Sequence, residues 1–272
     1  MPAQSEKAAQ FLALHHGSSP LLMPNAWDRG SARLFASLGF AALATTSSGF
    51  AATLGQLDGS VTRDEAIAHA AWIAGTTDLP VSADLEDCFA DDPDGVAQTI
   101  RLALDTGLAG CSVEDYTRRD DSPIHDPVLA AERVAAAAAV AHGGPVKLVL
   151  TARAENYLHG RHDLADTIAR LQSYQEAGAD VLFAPGLSRA DELRRLVAAV
   201  DRPVSVLALP GMPQVAELAE IGVRRISVGG AFAFAALDAA AQAARELREE
   251  GSYGYWDRAR PGSAAARAAF TA

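Results

Sequence analysis

Short apolar runs alternate with longer amphipathic stretches along most of this chain. The runs are Leu21-Leu-Met-Pro-Asn25, Ala41-Ala-Leu-Ala-Thr-Thr46, Val81-Ser-Ala-Asp84, Cys111-Ser-Val-Glu114, Leu148-Val-Leu-Thr-Ala-Arg153, Val181-Leu-Phe-Ala184, Val204-Ser-Val-Leu-Ala-Leu209 and Arg225-Ile-Ser-Val-Gly229. Each has the length and aliphatic character of a strand buried in a parallel sheet. The stretches between them read as helices. Residues 5–16 place Phe11, Leu12 and His15 on one side and stop at Gly17. Thr62-Arg-Asp-Glu65 is a capping box, and Asp126-Pro127 pairs a cap with a first-turn proline before an alanine-rich helix ending at Gly143-Gly144. Asp163 opens a helix with Leu164, Ile168 and Leu171 on its apolar face, stopped at Gly178. Ser188-Arg-Ala-Asp191 and Pro213 open two more, and a last helix runs from about 231 to 250.

Eight strands alternating with helices over 272 residues predict an α/β fold, a (β/α)8 TIM-type barrel forming one domain over residues 1–272. A doubly wound open sheet is the competing arrangement, but no glycine-rich phosphate loop follows the first strand. Residues 231–272 form a C-terminal helix and tail. Its Tyr253, Tyr255 and Trp256 need covering, either by an oligomer contact or by the chain's own barrel.

The strands end in charge. Pro80-Val-Ser-Ala-Asp84-Leu-Glu86-Asp87 sets three carboxylates within four residues, and Gly110-Cys-Ser-Val-Glu114-Asp115 ends in two more. In a barrel the C-terminal strand ends form the rim where ligands bind. That rim collects Asn25 and Asp28, then Thr46, Ser47, Ser48 and Gly49. The acids follow, with Asp58 from the loop after the second strand, and then Arg153 and Glu155. A lone Asp84 would read as a helix cap. Asp58, Asp84, Glu86 and Glu114 together repel one another unless a cation joins them, so they are the candidate ligands of Mg²⁺. Arg153 can pair with Glu155 or Glu114, or clamp a substrate carboxylate in a bidentate fork; the fork is the expected role. The Ser48-Gly49 backbone can form a simple turn or hold an oxyanion. Cys88 and Cys111 read as core, and His159 and His162 as solvated surface residues.

Net charge of −11 argues against a nucleic-acid partner or an anionic membrane surface. Two cysteines make no disulfide framework. With no signal-type apolar core in residues 1–20 and no membrane-length run, a cytoplasmic location is expected.

Ser47-Ser-Gly49, Leu54-Gly-Gln-Leu-Asp58, Ser82-Ala-Asp84-Leu-Glu86-Asp87, Ser112-Val-Glu114-Asp115, Thr151-Ala-Arg153-Ala-Glu155 and Gly178-Ala-Asp180-Val-Leu-Phe183 resemble motifs of the isocitrate lyase/phosphoenolpyruvate mutase superfamily, over about residues 25–230. The resemblance implies a Mg²⁺-dependent enzyme acting on 2-oxo acids or their 2-hydroxy precursors through an enolate-like species. It implies Asp84 as direct metal ligand, with Asp58, Glu86 and Glu114 reaching the ion through water. Arg153 and the Ser48-Gly49 backbone, with Asn25 beside them, would bind substrate. It also implies a homo-oligomer, a dimer or a tetramer with the last helix exchanged between neighbours.

Isocitrate and methylisocitrate lyases carry a cysteine-bearing Lys-Lys-Cys-Gly-His loop after the fourth strand. Here that loop, residues 115–126, has no cysteine. The mutase branch has a lysine and an asparagine there; Arg118 or Arg119 can stand for the lysine, but no asparagine is present, and position 184, a histidine in the mutase, is alanine. The expected activity is therefore C–C cleavage in a small 2-oxo or 2-hydroxy (di)carboxylate. P–C chemistry on phosphonopyruvate is the alternative, and a non-catalytic metal–carboxylate-binding barrel is the alternative from outside the enzymes. Arg118, Arg119 and His125 are the candidate catalytic groups beside Arg153, on a loop expected to close over the site.

Overall fold

The computed structural model describes residues 2–271. In chain order the elements are α1 (Gln4–Leu14), β1 (Leu21–Met23), β2 (Asn25–Ala26), α2 (Arg29–Ser37), β3 (Leu43–Thr45), α3 (Ser47–Thr53), α4 (Arg63–Ala74), β4 (Val81–Asp84), α5 (Pro93–Leu104) and β5 (Gly110–Glu114). There follow α6 (Pro127–Ala141), β6 (Val149–Arg153), α7 (Leu164–Glu176), β7 (Val181–Phe183), α8 (Ala190–Ala199), β8 (Val204–Leu207), α9 (Val215–Ile221), β9 (Arg225–Ser227), α10 (Ala231–Arg245) and α11 (Trp256–Phe270). A π-helical turn, Glu246–Glu250, continues α10 to the expected end of that helix.

Every strand pairing is parallel, and the order β1-β9-β8-β7-β6-β5-β4-β3-β2 brings the ladder back to where it began. The barrel is thus as expected, with one change: the first strand is in two pieces. Leu21–Met23 pairs with β9 and Asn25–Ala26 with β3, and Pro24 stands between them. Proline has no N–H to give a ladder, so the strand breaks there. Asn25 stitches the break. Its Nδ2 donates to the Thr45 carbonyl at 2.7 Å, and its Oδ1 accepts from the Val228 and Gly229 N–H groups, both at 3.0 Å.

Strand residues alternate between two environments. Val81, Ala83, Cys111, Val113, Leu150 and Leu182 pack outward with the helices in the main core. Leu21, Met23, Ala42, Ala44, Val149 and Val181 cluster with Phe11 of α1, which plugs the end of the barrel opposite the carboxylate rim.

Three of the expected caps appear where the sequence placed them. Thr62 accepts from the Glu65 N–H while the Glu65 carboxylate accepts from the Thr62 N–H at 2.9 Å. Asp126 and Asp163 cap α6 and α7. Ser188 does not cap α8, whose N-cap position is Arg189. Four helices went unread: α2, α3, α5 and α11. The Asp92-Pro93 signal of α5 matches that of α6, and Ser47-Ser-Gly49 is the first turn of α3, capped by Thr46. The tail forms α11 and packs on α2 of its own chain, with Phe270 Cζ 3.6 Å from where a Gly30 Cβ would stand. Tyr253 and Trp256 stay exposed. No helix among the described residues is long and apolar enough to cross a membrane.

A Cβ added at Gly110 would lie 2.6 Å from the Val149 carbonyl oxygen and 2.8 Å from Phe11 Cε1. Gly110→Ala is expected to lower unfolding free energy by about 1–3 kcal/mol. Phe11→Leu in the same chain should restore only part, because the backbone oxygen cannot withdraw; urea unfolding reads both. His15 is buried beside Phe11, and burial pushes its pKa down to about 3. Its native form is neutral, so its stability contribution is complete above the unfolded value of ~6.5 and is lost as pH falls towards the folded value. The difference in urea midpoint between wild type and His15→Gln should therefore shift against the wild type as pH drops from about 7 to 4.

Candidate active site

The carboxylate rim opens onto two adjoining cavities. One, of about 180 Å³, descends into the barrel past Asn25, Ser48, Asp84 and Arg225. The other, of about 440 Å³, lies over Glu86, Glu114, Tyr116, Arg118, Glu155 and His159. Ser47, Asp58 and Arg153 line both.

Adjacent parallel strands deliver the central charges. β4 ends at Asp84, β5 at Glu114 and β6 at Arg153, with Glu114 and Arg153 in register. The Arg153 guanidinium meets three acids: Asp84 Oδ1 at 2.9 Å, Glu114 Oε2 at 3.1 Å and Glu155 Oε1 at 2.8 Å. Of its two expected roles, the ion pairs are therefore the ones present. The other Asp84 oxygen accepts from the Ser47 N–H at 3.3 Å, and the Asp84 N–H donates to Thr45 Oγ1 at 2.9 Å.

After Asp84 the chain turns sharply, with positive φ of 52°, 59° and 56° at Glu86, Cys88 and Phe89. Each such residue costs of order 1–3 kcal/mol unless its surroundings impose it. Arg133, buried on α6, imposes it here by donating to the carbonyls of Glu114 and Ala90, both at 3.0 Å, and of Asp87. Arg118 closes the turn from outside. It pairs with Glu86 and Asp87, each at 2.8 Å, and donates to the Gly59 carbonyl at 2.8 Å, tying its loop to the segment that carries Asp58.

Burial, with Asp84 adding to it, pushes the Glu86 pKa up to about 8 against the pull of Arg118. Burial also lifts Glu114 well above the usual carboxylate range despite Arg153, and it raises Glu155. Arg153 is held above its ordinary value: burial opposes this, and Glu114, Glu155 and Asp84 outweigh it. Six carboxylates (Asp58, Asp84, Glu86, Asp87, Glu114 and Glu155) thus share two guanidiniums at this rim.

The other assigned residues divide. Ser48 lines the deeper cavity. The Gly49 N–H is taken by Thr46 Oγ1 at 3.3 Å, and a Cβ there would lie 3.1 Å from both Ala233 and Trp27, so this glycine packs α3 rather than facing the cavity. Asn25 borders the cavity while its amide is spent on closing the barrel. Arg119 is exposed beside Asp91 at 3.5 Å, and His125 is buried with Nε2 3.9 Å from Asp91; neither lines either of these two cavities. The loop geometry turns these two away from the rim. His159, expected in solvent, is half-buried, stacks on Tyr116 with centroids 3.9 Å apart, and borders the larger cavity. Cys88 and Cys111 are buried, and burial drives both thiols up, Cys111 to about 12.

Reading the sequence missed Thr45, Arg133 and Arg225, and it placed Ser47 on the rim without the hydrogen bond from its N–H to Asp84. A Thr46 cap would have shown Ser47 as a helix-start amide; the arginines lie at positions where strand and helix patterns expect apolar residues. Among the described residues, no three His, Cys, Asp or Glu side chains come together closely enough to hold a metal by themselves. The four candidate ligands Asp58, Asp84, Glu86 and Glu114 offer carboxylate oxygens, suited to a hard cation that retains water. Arg133→Met would leave the buried carbonyls of Asp87 and Glu114, and the part-buried one of Ala90, without their donor. It is expected to cost about 3 kcal/mol or more in urea unfolding.

A family model described as phosphoenolpyruvate phosphomutase matches residues 11–248. A Burkholderia cenocepacia J2315 structure, provisionally described as a lyase/mutase, superposes with a TM-score of 0.93 at 49% identity, covering 97% of this chain and 95% of the other. An uncharacterized protein of Mycobacterium tuberculosis H37Rv is 37% identical over 241 residues, 88% of this chain and 89% of its own. Oxaloacetate decarboxylase of Chromohalobacter salexigens is 30% identical over 270 residues, 91% of this chain and 88% of its own.

Proposed function

Because the chain belongs to the isocitrate lyase/phosphoenolpyruvate mutase superfamily, we propose that it is a Mg²⁺-dependent carbon–carbon lyase. It would act on a small 2-oxo or 2-hydroxy (di)carboxylate and release pyruvate or a related 2-oxo acid. The observation that carries this reading is the rim itself, where six carboxylates outnumber the guanidiniums of Arg118 and Arg153 beside the two adjoining cavities. Asp84 would hold the ion directly, and Asp58, Glu86 and Glu114 would hold it through water. When bound, Mg²⁺ supplies Lewis-acid stabilisation of negative charge developing beside a carboxylate. Arg153 turns from its acids towards the substrate carboxylate. The Ser48 amide, at the start of α3, orients that end, and Arg118 with Tyr116 and His159 covers the larger cavity against water.

C–C cleavage is preferred to P–C cleavage because Ala184, where the mutase branch carries histidine, is a core residue offering no polar group. A similarity to a named oxaloacetate decarboxylase supports the same preference. Two buried free thiols fit a reducing cytoplasm. Exposed Phe232, Phe234 and Leu237 on α10, with Tyr253 and Trp256 beyond it, fit a homo-oligomer that covers them.

Pyruvate release, coupled to NADH oxidation, is the test, with oxaloacetate, phosphonopyruvate and 2-methylisocitrate as the panel. Mg²⁺-dependent turnover is expected with a C–C substrate. Asp58→Asn should cost about 10–100-fold and Asp84→Asn more. Absence of both Mg²⁺ binding and turnover in the wild type would overturn the proposal.

A further inference from the structure

Barrels of this kind usually fill their middle with bulky branched side chains. Here the middle is polar. Ser82 of β4, Ser112 of β5, Thr151 of β6 and Ser205 of β8 occupy strand positions whose neighbours in sequence pack outward. Into this ring β9 inserts Arg225, buried at 4% exposure. Its Nε donates to Ser205 Oγ and its Nη1 to Thr151 Oγ1, both at 2.9 Å. Its guanidinium carbon lies 5.7 Å from the centre of the Phe183 ring, which also carries Arg153 at 5.4 Å.

Arg225 forms no ion pair among the described residues, whereas Arg118, Arg153 and Arg170 each meet carboxylates. Burial, and then the charge of Arg153, push its pKa down to about 9. A buried cation whose direct partners are two hydroxyls and an aromatic face, with Asp84 acting on it only from a distance, lacks a paired counter-charge, and such groups are ordinarily paired. The guanidinium borders the deeper cavity together with Ser82, Ser112 and Ser227, three hydroxyls able to donate to an anion. Met23 and Leu207 line the same cavity and give it apolar walls.

We infer that Arg225 and the surrounding serines form an anion subsite inside the barrel, which takes the distal carboxylate of a small dicarboxylate whose other end sits at the Asp84–Arg153 rim. The placement of that other end rests on the proposed function; the subsite rests on Arg225 alone. The cavity of about 180 Å³ limits the ligand to a few carbons. Arg225 is thus a specificity-determining residue that separates dicarboxylates from monocarboxylates of similar length.

Calorimetric binding of L-malate, malonate and pyruvate tests this, each with and without Mg²⁺, on the wild type, Arg225→Met, Arg225→Lys and Asp84→Asn. Arg225→Met should weaken at least one of the two dicarboxylates by about 10–100-fold, the scale of one lost charged hydrogen-bond pair. Pyruvate affinity should stay within about twofold and Arg225→Lys should retain part of the dicarboxylate preference. A thermal melt supplies a second readout. Arg225→Met should melt no lower than the wild type in anion-free buffer, since it removes an unpaired buried charge, and should lose the upward shift that the dicarboxylate gives the wild type. Equal loss for dicarboxylate and pyruvate, no loss for either, or no dicarboxylate binding by the wild type overturns the subsite. Dicarboxylate binding that needs Arg225 but neither Mg²⁺ nor Asp84 upholds the subsite and removes the lyase proposal. Mg²⁺-dependent pyruvate binding with dicarboxylates indifferent to Arg225→Met does the reverse.

Discussion

A single guanidinium makes the rim of this barrel possible. Asp84, Glu114 and Glu155 come from three neighbouring segments and would repel one another across a few ångströms of poorly solvated space. Arg153, arriving at the end of the strand beside them, touches all three. Three further arginines extend the same solution outward. Arg118 holds Glu86 and Asp87, Arg170 pairs with buried Asp115, and Arg133 satisfies the carbonyls of the left-handed turn. An acidic rim of this density is therefore stable at rest, and a guanidinium already present there can exchange one anionic partner for another at little electrostatic cost.

What could be read from the sequence follows from where charge falls in a parallel strand. A strand covered on both faces tolerates ionised groups chiefly at its ends, so Asp84, Glu114 and Arg153 announced both the strands and the rim. The break at Pro24 was less legible, because an apolar run shows the same hydrophobicity whether or not its hydrogen-bond ladder is continuous. Serines at the inward positions of β4, β5 and β8 alternate with aliphatics as they would on a solvated sheet, so their place inside the barrel could be seen only once the ring closed. Loop residues were least legible. Arg119 and His125 lie on the loop after β5 and His159 on the loop after β6, and only the path of each loop decides that His159 borders a cavity while the other two face Asp91. Asn25 shows a different limit, since a side chain at the rim can be occupied entirely with holding the backbone together.

Seen along its axis, the barrel stacks its chemistry in tiers. Phe11 and its aliphatic neighbours seal one end, a belt of hydroxyls surrounds Arg225 in the middle, and carboxylates with Arg153 form the other end. Phe183 lies against both guanidiniums and separates the upper two tiers with an aromatic face that both cations favour. Carboxylates paired with guanidiniums thus give way, deeper in the cavity, to hydroxyls around one unpaired guanidinium.

The closeness of Gly49 to Ala233 and Trp27 has a mechanical consequence. With no side chain to act as a cushion, α3 rests directly on α10, and the amides of Ser47 and Ser48 are borne on the first turn of α3. α10 in turn has one fully buried residue, Ala233, and otherwise presents much of its surface to whatever lies outside the chain. Any displacement of α10 would therefore reach the mouth of the cavity without intervening slack, because nothing flexible separates the two helices at Gly49.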